Sequence, residues 1–169
     1  MTVKAYFQKQ DQSTTSNELI SSILDRTVTS ISNTELNGLS IIGNRAFTED
    51  YSLSSVNFPS VTSVDAYAFS GCSSLTSITF PSLVHIDYFS FQWCTELTSI
   101  DLPSISSIYF KAFYYCSKLA SANLHSVVSI GADVFSSCPL LTSITINRQS
   151  GDVTGAPWGA TNATIIWTG

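Results

Sequence analysis

Four cysteines recur along the chain at a constant spacing of 22 residues. They are Cys72, Cys94, Cys116 and Cys138. Four thiolates can bind a zinc ion, but zinc sites normally take two of their ligands from one short Cys-x-x-Cys-like segment, which this sequence lacks. We therefore expect the four cysteines to be structural, and we expect neither a metal site nor a cofactor.

Evenly spaced cysteines also raise the question of disulfide bonds. If successive repeats stack as paired strands, equivalent thiols would lie roughly 4.8 Å apart, which is within reach of a disulfide. Side chains that leave the backbone in parallel directions nevertheless fit disulfide geometry poorly. Free cysteine is a small and commonly buried apolar residue. A column of buried free thiols is thus the favoured interpretation, and stacked disulfides are the alternative.

The other residues that commonly perform chemistry show no catalytic pattern. His85 and His125 occupy different positions of the 22-residue repeat, so they should lie on different faces of the protein. Serine and aspartate are frequent, but they occur without a G-x-S-x-G motif, a phosphate-binding loop or a paired-carboxylate motif. The sequence therefore predicts a protein that is not an enzyme and has no catalytic residues.

Composition argues against two kinds of partner. Only 7 of the 169 residues are Lys or Arg, they are scattered, and the net charge is −5, so nucleic-acid binding is not expected. No apolar stretch reaches the length of a membrane span, so membrane insertion is not expected either. The first residues, MTVKAYFQKQDQSTTSN, are polar where a signal peptide is apolar, which leaves the export route open.

The cysteines belong to a larger repeat of the same period, which divides residues 39–148 into five frames without an insertion. Each frame places apolar side chains at the same positions. The phenylalanine column is Phe47, Phe69, Phe91, Phe113 and Phe135, and the leucine column is Leu53, Leu75, Leu97, Leu119 and Leu141. A third column is Val56, Ile78, Ile100, Ala122 and Ile144, and a fourth is Ile42, Val64, Ile86, Ile108 and Ile130. These columns must form a shared interior.

Local pattern predicts how each frame folds. In the segment LTSITF, Ile78 and Phe80 are two residues apart, so both point to one face of a short strand. Pro81 follows that strand and lacks the backbone donor needed to extend its ladder. A second short strand, such as LVHI, and a tight turn or helical turn at the Ala-Phe pair would close the coil. One coil buries too little to fold alone, so successive coils must stack.

The repeat resembles a known family. L-x-x-I-x-F/L matches the core of leucine-rich repeats, and the fuller pattern I-x-x-x-A-F-x-x-C-x-x-L-x-x-I-x-L-P is similar to the BspA-like (Treponema pallidum-type) subclass of bacterial surface proteins. The resemblance implies a right-handed leucine-rich repeat solenoid, mainly of short β-strands closed by loops or short helices. It also implies a place at the cell surface or outside the cell, although a phage-particle or cytoplasmic origin is not excluded.

The two ends should cover the interior of the terminal coils. At the N-terminus, residues 1–38 are predicted to form a cap, with a strand at 2–7 and a short amphipathic helix that begins near Thr15 and Glu18. The segment 27–36 is interpreted as a degenerate repeat that places Ile31 on the leucine column. Residues 149–169 are predicted to form the C-terminal cap, in which Trp158 and Trp167 seal the last coil.

Function is expected where the repeat varies. Beside the buried Ala-Phe pair, most frames carry polar residues, but two adjacent frames carry aromatic ones. The candidate ligand-binding residues are Tyr67, Tyr88, Phe89, Trp93, Phe110, Tyr114 and Tyr115. Tyrosine and tryptophan are enriched at interface hot spots, which favours a binding surface. The alternative is that these rings only cover the loop side of the core.

Two functions follow from these features. The first is a recognition module that binds a protein or a glycan, as the family resemblance implies. The second is a structural spacer or self-assembly domain whose aromatic residues pack on a neighbouring subunit. The first predicts a monomer that captures a ligand, whereas the second predicts weak homo-oligomers that depend on Trp93.

Overall fold

A computed structural model describes residues 18–19, 29–32 and 39–169 of the chain. This part contains thirteen short strands and no helix, and every strand pairing in it is parallel. Each coil contributes two strands, and the equivalent strands of successive coils pair with each other. The architecture is a parallel β-solenoid of about six turns. The loop alternative predicted for the closure of each coil is the one observed.

One face of the solenoid is a six-stranded sheet in the order β1-β3-β5-β7-β9-β11. Its strands are β1 (Glu18–Leu19), β3 (Ile41–Ile42), β5 (Ser63–Val64), β7 (His85–Ile86), β9 (Ser107–Ile108) and β11 (Ser129–Ile130). Within β5, β7 and β9 the first residue is at least partly exposed and the second is buried. This sheet therefore directs the fourth apolar column into the core.

The other strands form a three-stranded sheet (β2-β4-β6) and a four-stranded sheet (β13-β12-β10-β8), and β6 lies beside β8. They are β2 (Ser30–Ser32), β4 (Ser55–Asn57), β6 (Ser77–Thr79), β8 (Ser99–Asp101), β10 (Ser121–Asn123), β12 (Ser143–Ile146) and β13 (Thr164–Trp167). Ile78 is buried between exposed Ser77 and Thr79, which confirms the period-two pattern of LTSITF.

The loop side of each coil carries a third hydrogen-bonded ladder. In the frame that begins at Leu39, the amides of Arg45, Phe47 and Glu49 donate to carbonyls of the next coil, at 2.7–3.1 Å. The amides of Ala46 and Thr48 donate instead to carbonyls three residues earlier in their own coil. This alternation satisfies the backbone without a regular strand and fixes the direction of every loop side chain.

Stacked phenylalanines fill the interior. The rings of Phe47 and Phe69 lie 4.9 Å apart and 8° from parallel, and the stack continues through Phe91 and Phe113 to Phe135 at spacings of 5.1–5.8 Å. All five rings are buried. Rings one coil apart are at a separation typical of favourable offset stacking, so each phenylalanine stabilises both neighbouring coils.

The hydroxyl-rich composition has a structural use at the coil edges. The hydroxyl of Thr76 donates to the carbonyl of Ser54 at 2.9 Å, and that of Thr62 donates to the carbonyl of Ser40 at 3.2 Å. In each pair the partner lies 22 residues away, one coil back. These hydroxyl side chains thus donate hydrogen bonds to backbone carbonyls of the preceding coil.

The N-terminal predictions require correction where the structure describes them. Glu18 and Leu19 form strand β1, paired with Ile41 and Ile42, so the helix predicted to begin there is wrong at these two residues. Ile31 pairs with Val56, 25 residues later, and therefore lies on the third column instead of the leucine column. A connection three residues longer than in the other coils changes the register. The strand predicted at 2–7 and the rest of that helix lie outside the described residues.

At the other end, β13 adds a further strand to the sheet, with Ile144 opposite Ile165 and Ile146 opposite Trp167. Trp158 is buried, and its indole nitrogen donates to the carbonyl of Thr154 at 2.8 Å. Gly159 has a φ of +86°, and a Cβ atom at this position would lie 2.8 Å from the backbone nitrogen of Ser136. Glycine therefore lets this segment close tightly on the preceding coil.

Candidate functional site

The four cysteines form a buried column next to the phenylalanine stack. All four are free thiols. Each Sγ donates to the carbonyl of the phenylalanine 25 residues earlier: Cys72 to Phe47 at 3.0 Å, Cys94 to Phe69 at 3.3 Å, Cys116 to Phe91 at 3.2 Å and Cys138 to Phe113 at 3.2 Å. Each of these carbonyls also accepts a backbone N–H from the residue three positions later, so the thiol is its second donor and is itself hydrogen-bonded inside the core.

Burial also sets the acidity of these thiols. It raises the pKa of Cys72 to about 12 and holds the pKa of Cys94 and of Cys116 well above the ordinary value. Cys138, at the end of the column, has a lowered pKa, because the S–H of Cys116, which otherwise donates to the carbonyl of Phe91, can turn to donate to a Cys138 thiolate. Thiolates are the reactive and metal-binding form of cysteine, so the first three thiols are chemically inert.

We expect a thiol-reactive reagent to modify all four cysteines slowly in the native protein and rapidly in denaturant. The physical reason is that none of the four sulfur atoms is freely accessible until the coils separate. Titration with an aromatic disulfide reagent, with and without denaturant, measures both rates and the number of thiols. Fewer than four thiols in denaturant, without added reductant, would contradict the free column.

The histidines and charged residues are dispersed. His85 is exposed, and its Nδ1 lies 2.6 Å from Oγ of Ser107 on the neighbouring strand. His125 is exposed in a different part of the repeat. Glu96 and Lys118, which occupy the same repeat position in successive coils, form an ion pair at 2.7 Å. Because both side chains are about half exposed, the pair contributes at most about 1 kcal/mol to stability.

The loop side places aromatic residues at two positions of left-handed backbone. The first position holds Tyr67 and Phe89, and the second holds Trp93 and Tyr115, with φ between 57° and 63°. Residues other than glycine or asparagine rarely adopt this conformation, which costs on the order of 1 kcal/mol or more. Gly71 occupies the second position one coil before Trp93. The other coils are left-handed at the same two positions, where they hold Arg45, Lys111 and Asp133 or Glu49 and Ser137, so this conformation belongs to the repeat and the side chain it presents varies from coil to coil.

A chain of ring contacts begins at the first of these positions. The guanidinium of Arg45 lies over the Tyr67 ring, 4.7 Å from its centre. Tyr67 stacks on Phe89 of the next coil at 5.1 Å, with 16° between the planes. Phe89 in turn meets Phe110 edge-on at 5.4 Å. A cation therefore covers one end of a three-ring array that crosses three coils.

A lysine joins this array to a second one. The Nζ atom of Lys111 lies 5.0 Å from the ring centres of both Phe110 and Tyr114. Tyr114 contacts Tyr115 at 6.0 Å, and Tyr115 stacks on Trp93 at 4.5 Å with 22° between the planes. Six of the seven aromatic residues singled out in the sequence are thus linked by direct ring or cation contacts.

The seventh residue, Tyr88, contacts a ring that sequence reasoning missed. Tyr88 and Tyr109 pack at 5.4 Å, and both are exposed. Tyr109 lies at a repeat position held elsewhere by Gly43, Asp65 and Asp87, outside the positions adjoining the Ala-Phe pair. Together these eight aromatic residues are called the aromatic surface below. Its exposed members are Tyr88, Trp93, Tyr109 and Tyr115, and Tyr67, Phe89, Phe110 and Tyr114 are half-buried.

A groove of about 330 Å³ adjoins the aromatic surface on one side. It lies over Gly71, which has no side chain and which occupies the coil between that of Glu49 and that of Trp93. Its walls are Glu49, Tyr51, Ser70, Gly71, Ser73, Gln92, Trp93 and Thr95. Gln92 Nε2 donates to Oγ of Ser70 at 3.0 Å, which fixes one wall. Tyr51, which the sequence did not single out, is 56 % exposed.

The fold is similar to that of several solved structures. The Treponema pallidum leucine-rich repeat protein TpLRR has 26 % sequence identity and a TM-score of 0.73, covering 86 % of this chain and 72 % of that one. A leucine-rich repeat protein from Bacteroides ovatus has 21 % identity, a TM-score of 0.62, and 83 % and 42 % coverage. A leucine-rich cell surface protein from Faecalibacterium prausnitzii has 23 % identity, a TM-score of 0.61, and 84 % and 48 % coverage.

The chain thus spans less than half the length of the last two structures. No significant match was found among curated proteins. In the described part of the chain, no helix has the length and apolar character needed to cross a membrane. The sequence model of the BspA type leucine-rich repeat region matches six copies over residues 40–155. The chain therefore belongs to the BspA type leucine-rich repeat family.

Proposed function

We propose that the protein is a non-enzymatic recognition module that binds a partner protein through the aromatic surface. The observation that carries this proposal is the unbroken contact network from Arg45 through Lys111 to Trp93, which spans four coils. Rigid rings already held by their neighbours lose little conformational freedom on binding. A partner would therefore meet a preformed surface.

The strand faces are less suited to binding than the loop side. Their outward residues are mostly serine, threonine and asparagine, such as Ser77, Thr79 and Asn123. Small hydroxyl side chains offer little apolar area, whereas tyrosine, tryptophan and arginine supply most hot-spot energy in interfaces. The loop side combines such rings with two cations and leaves four rings exposed. This contrast supports recognition on the loop side.

The family relationship supports the same proposal at the level of location. The protein from Faecalibacterium prausnitzii is described as a cell surface protein. A comparable location would bring this chain into contact with proteins and glycans of other cells. We therefore place its partner outside the cell, and we assign the aromatic surface, instead of a catalytic centre, as the functional part of the molecule.

Replacing Trp93 or Tyr115 with alanine is expected to weaken partner binding by over about 1 kcal/mol each, with little change in the thermal midpoint. The reason is that both rings are exposed and stack mainly on each other, so their loss opens no core cavity. Immobilised wild-type protein would first capture partners from solubilised host-cell surface material. Titration of the isolated partner against each variant then gives the affinity.

Leu140→Ala is the matched control, because Leu140 is 55 % exposed and lies outside the aromatic surface. It should retain wild-type binding. Unfolding of the Trp93 and Tyr115 variants would show that the rings merely cover the core. Capture of a glycan would replace protein recognition with glycan binding. Sedimentation could instead show a concentration-dependent dimer that Trp93→Ala dissociates, and this result would replace protein recognition with self-assembly.

A further inference from the structure

The loop side has two aromatic stacks, Tyr67 on Phe89 and Trp93 on Tyr115, and they end differently. In the first, Arg45 covers the outer face of Tyr67 at 4.7 Å. In the second, Tyr115 and Trp93 stack at 4.5 Å, and the next coil provides only Gly71. The outer face of Trp93 therefore borders the groove, and no side chain of the second stack covers it there. Trp93 is 48 % exposed.

One coil further, the same repeat position holds Glu49. A Cβ atom at Gly71 would lie 3.3 Å from Cγ of Glu49, so the absence of a side chain there leaves room for the glutamate to approach the groove. Glu49 is the one charged residue among the groove's lining residues in the described part of the chain, and it forms no ion pair there. The groove thus combines an indole face with a carboxylate.

The spacing of the coils defines what fits between them. Trp93 and Tyr115 show that planar groups on successive coils lie 4.5 Å apart. A planar group stacked on the other face of Trp93 would therefore lie at the level of Gly71. Glu49 lies one coil beyond that level. A groove of about 330 Å³ is large enough to admit the end of one long side chain.

We propose that this groove is a subsite for an arginine side chain of the partner protein. The guanidinium would stack on Trp93 and donate hydrogen bonds to the carboxylate of Glu49. A planar guanidinium suits both contacts at once, because it stacks on aromatic faces and pairs with carboxylates through two parallel N–H donors. The subsite would reproduce, with a ligand, the contact that Arg45 makes with Tyr67 inside the molecule.

Charge complementarity selects this ligand over others. The chain carries a net charge of −5, and none of the described residues that line the groove is Lys or Arg. An anionic ligand would be repelled by Glu49. A neutral sugar could donate hydroxyl hydrogen bonds to the carboxylate, but only a cation also gains its charge attraction and the attraction of the indole face. Tryptophan is the aromatic side chain that attracts cations most strongly. The inference rests on the proposed function, since it names the chemistry of one contact within the same recognition surface.

The test uses small probes in place of the unidentified partner. N-acetyl-arginine amide and its neutral analogue N-acetyl-citrulline amide are titrated at constant ionic strength, and NMR follows the indole N–H signals. The Trp93 signal should shift with arginine and not with citrulline. Trp158 serves as an internal reference, because it is buried and its N–H is bonded to Thr154.

Three variants complete the test. Glu49→Gln should weaken arginine binding by about tenfold or more, since it removes a charge-assisted hydrogen bond. Gly71→Tyr should abolish binding, because a ring at this position extends the stack into the groove, as Tyr115 does two coils later. Asp101→Asn removes an equal charge from the exposed strand face and should leave binding unchanged.

Equal shifts with arginine and citrulline, or an unchanged affinity in Glu49→Gln, would overturn the subsite. A shift of Trp93 with neutral methyl glycosides in place of arginine would assign the groove to a glycan instead. These outcomes are distinguishable from failure of the proposed function. Partner binding that is lost in Trp93→Ala but unaffected by Glu49→Gln would retain the recognition surface and reject only the arginine contact.

Discussion

Replacing Leu97 with alanine is expected to lower the free energy of unfolding by about 2–5 kcal/mol. Leu97 lies in the central frame and is completely buried, so the change removes apolar contacts and leaves a cavity between coils. Each coil is stabilised mainly by its two neighbours, so a weakened central coil should also make unfolding of the whole stack less cooperative. Chemical denaturation followed by circular dichroism measures both effects.

The solenoid offers a control with the same chemical change. Leu140→Ala removes the same atoms from a side chain that is 55 % exposed, and it should change stability by less than about 0.5 kcal/mol. A similarly small change for Leu97→Ala would show that the leucine column does not face the interior.

Raising the pH above about 9 is expected to destabilise the protein steeply. The thiol of Cys72 has a pKa of about 12 when folded, against 9.0 ordinarily, and the pKa values of Cys94 and Cys116 are also well above 9.0. Above pH 9 the unfolded chain releases these protons while the folded chain keeps them. The contribution of these thiols to the free energy of unfolding is therefore fully present below pH 9. It decreases as the pH rises above 9, by up to about 1.4 kcal/mol per pH unit for each thiol.

Urea unfolding at a series of pH values from 8 to 11 measures this slope. Cys138 does not change this slope, because its pKa is lowered in the folded protein: its stabilising contribution builds up below pH 9 and stays constant above it. Cys94→Ser is the matched variant, since serine keeps a donor for the carbonyl of Phe69 but does not titrate in this range. Its slope should be shallower by about 1.4 kcal/mol per unit. An unchanged slope would refute the role of the thiols.

Much of the fold could be predicted because packing imposes the period. The columns that contain Phe91, Leu97 and Ile100 are all buried. This was expected, because every frame has an apolar residue at these positions. A side chain in the shared interior contacts equivalent residues above and below, so every copy is under the same constraint. That constraint makes the pattern visible in one sequence.

The first coil could not be predicted in the same way, because its connection has a different length. Ile31 and Val56 are 25 residues apart, so counting back by 22 assigned Ile31 to the wrong column. Strand β1 was mistaken for a helix because Glu18 and Leu19 lie in a segment with helical apolar spacing. Pairing with β3 outweighs that local preference, as tertiary contacts commonly do.

The candidate site was predictable only in outline. Variation beside the Ala-Phe pair pointed to seven rings, and the structure brings six of them into one network. Tyr109 was missed because it varies at a position where other coils have glycine or aspartate. The groove was missed as well, since it arises from Gly71, a residue without a side chain. Only three-dimensional stacking places Glu49 and Trp93 on either side of it.

The uniform coil also has an evolutionary consequence. All three hydrogen-bonded ladders of the central coils connect residues about one repeat apart, so duplication of a gene segment encoding one coil would preserve each of them. Loss of such a segment would do the same. The length of the molecule can therefore change by recombination while each core column remains intact, and the aromatic surface can be inherited as a unit at a new distance from either end.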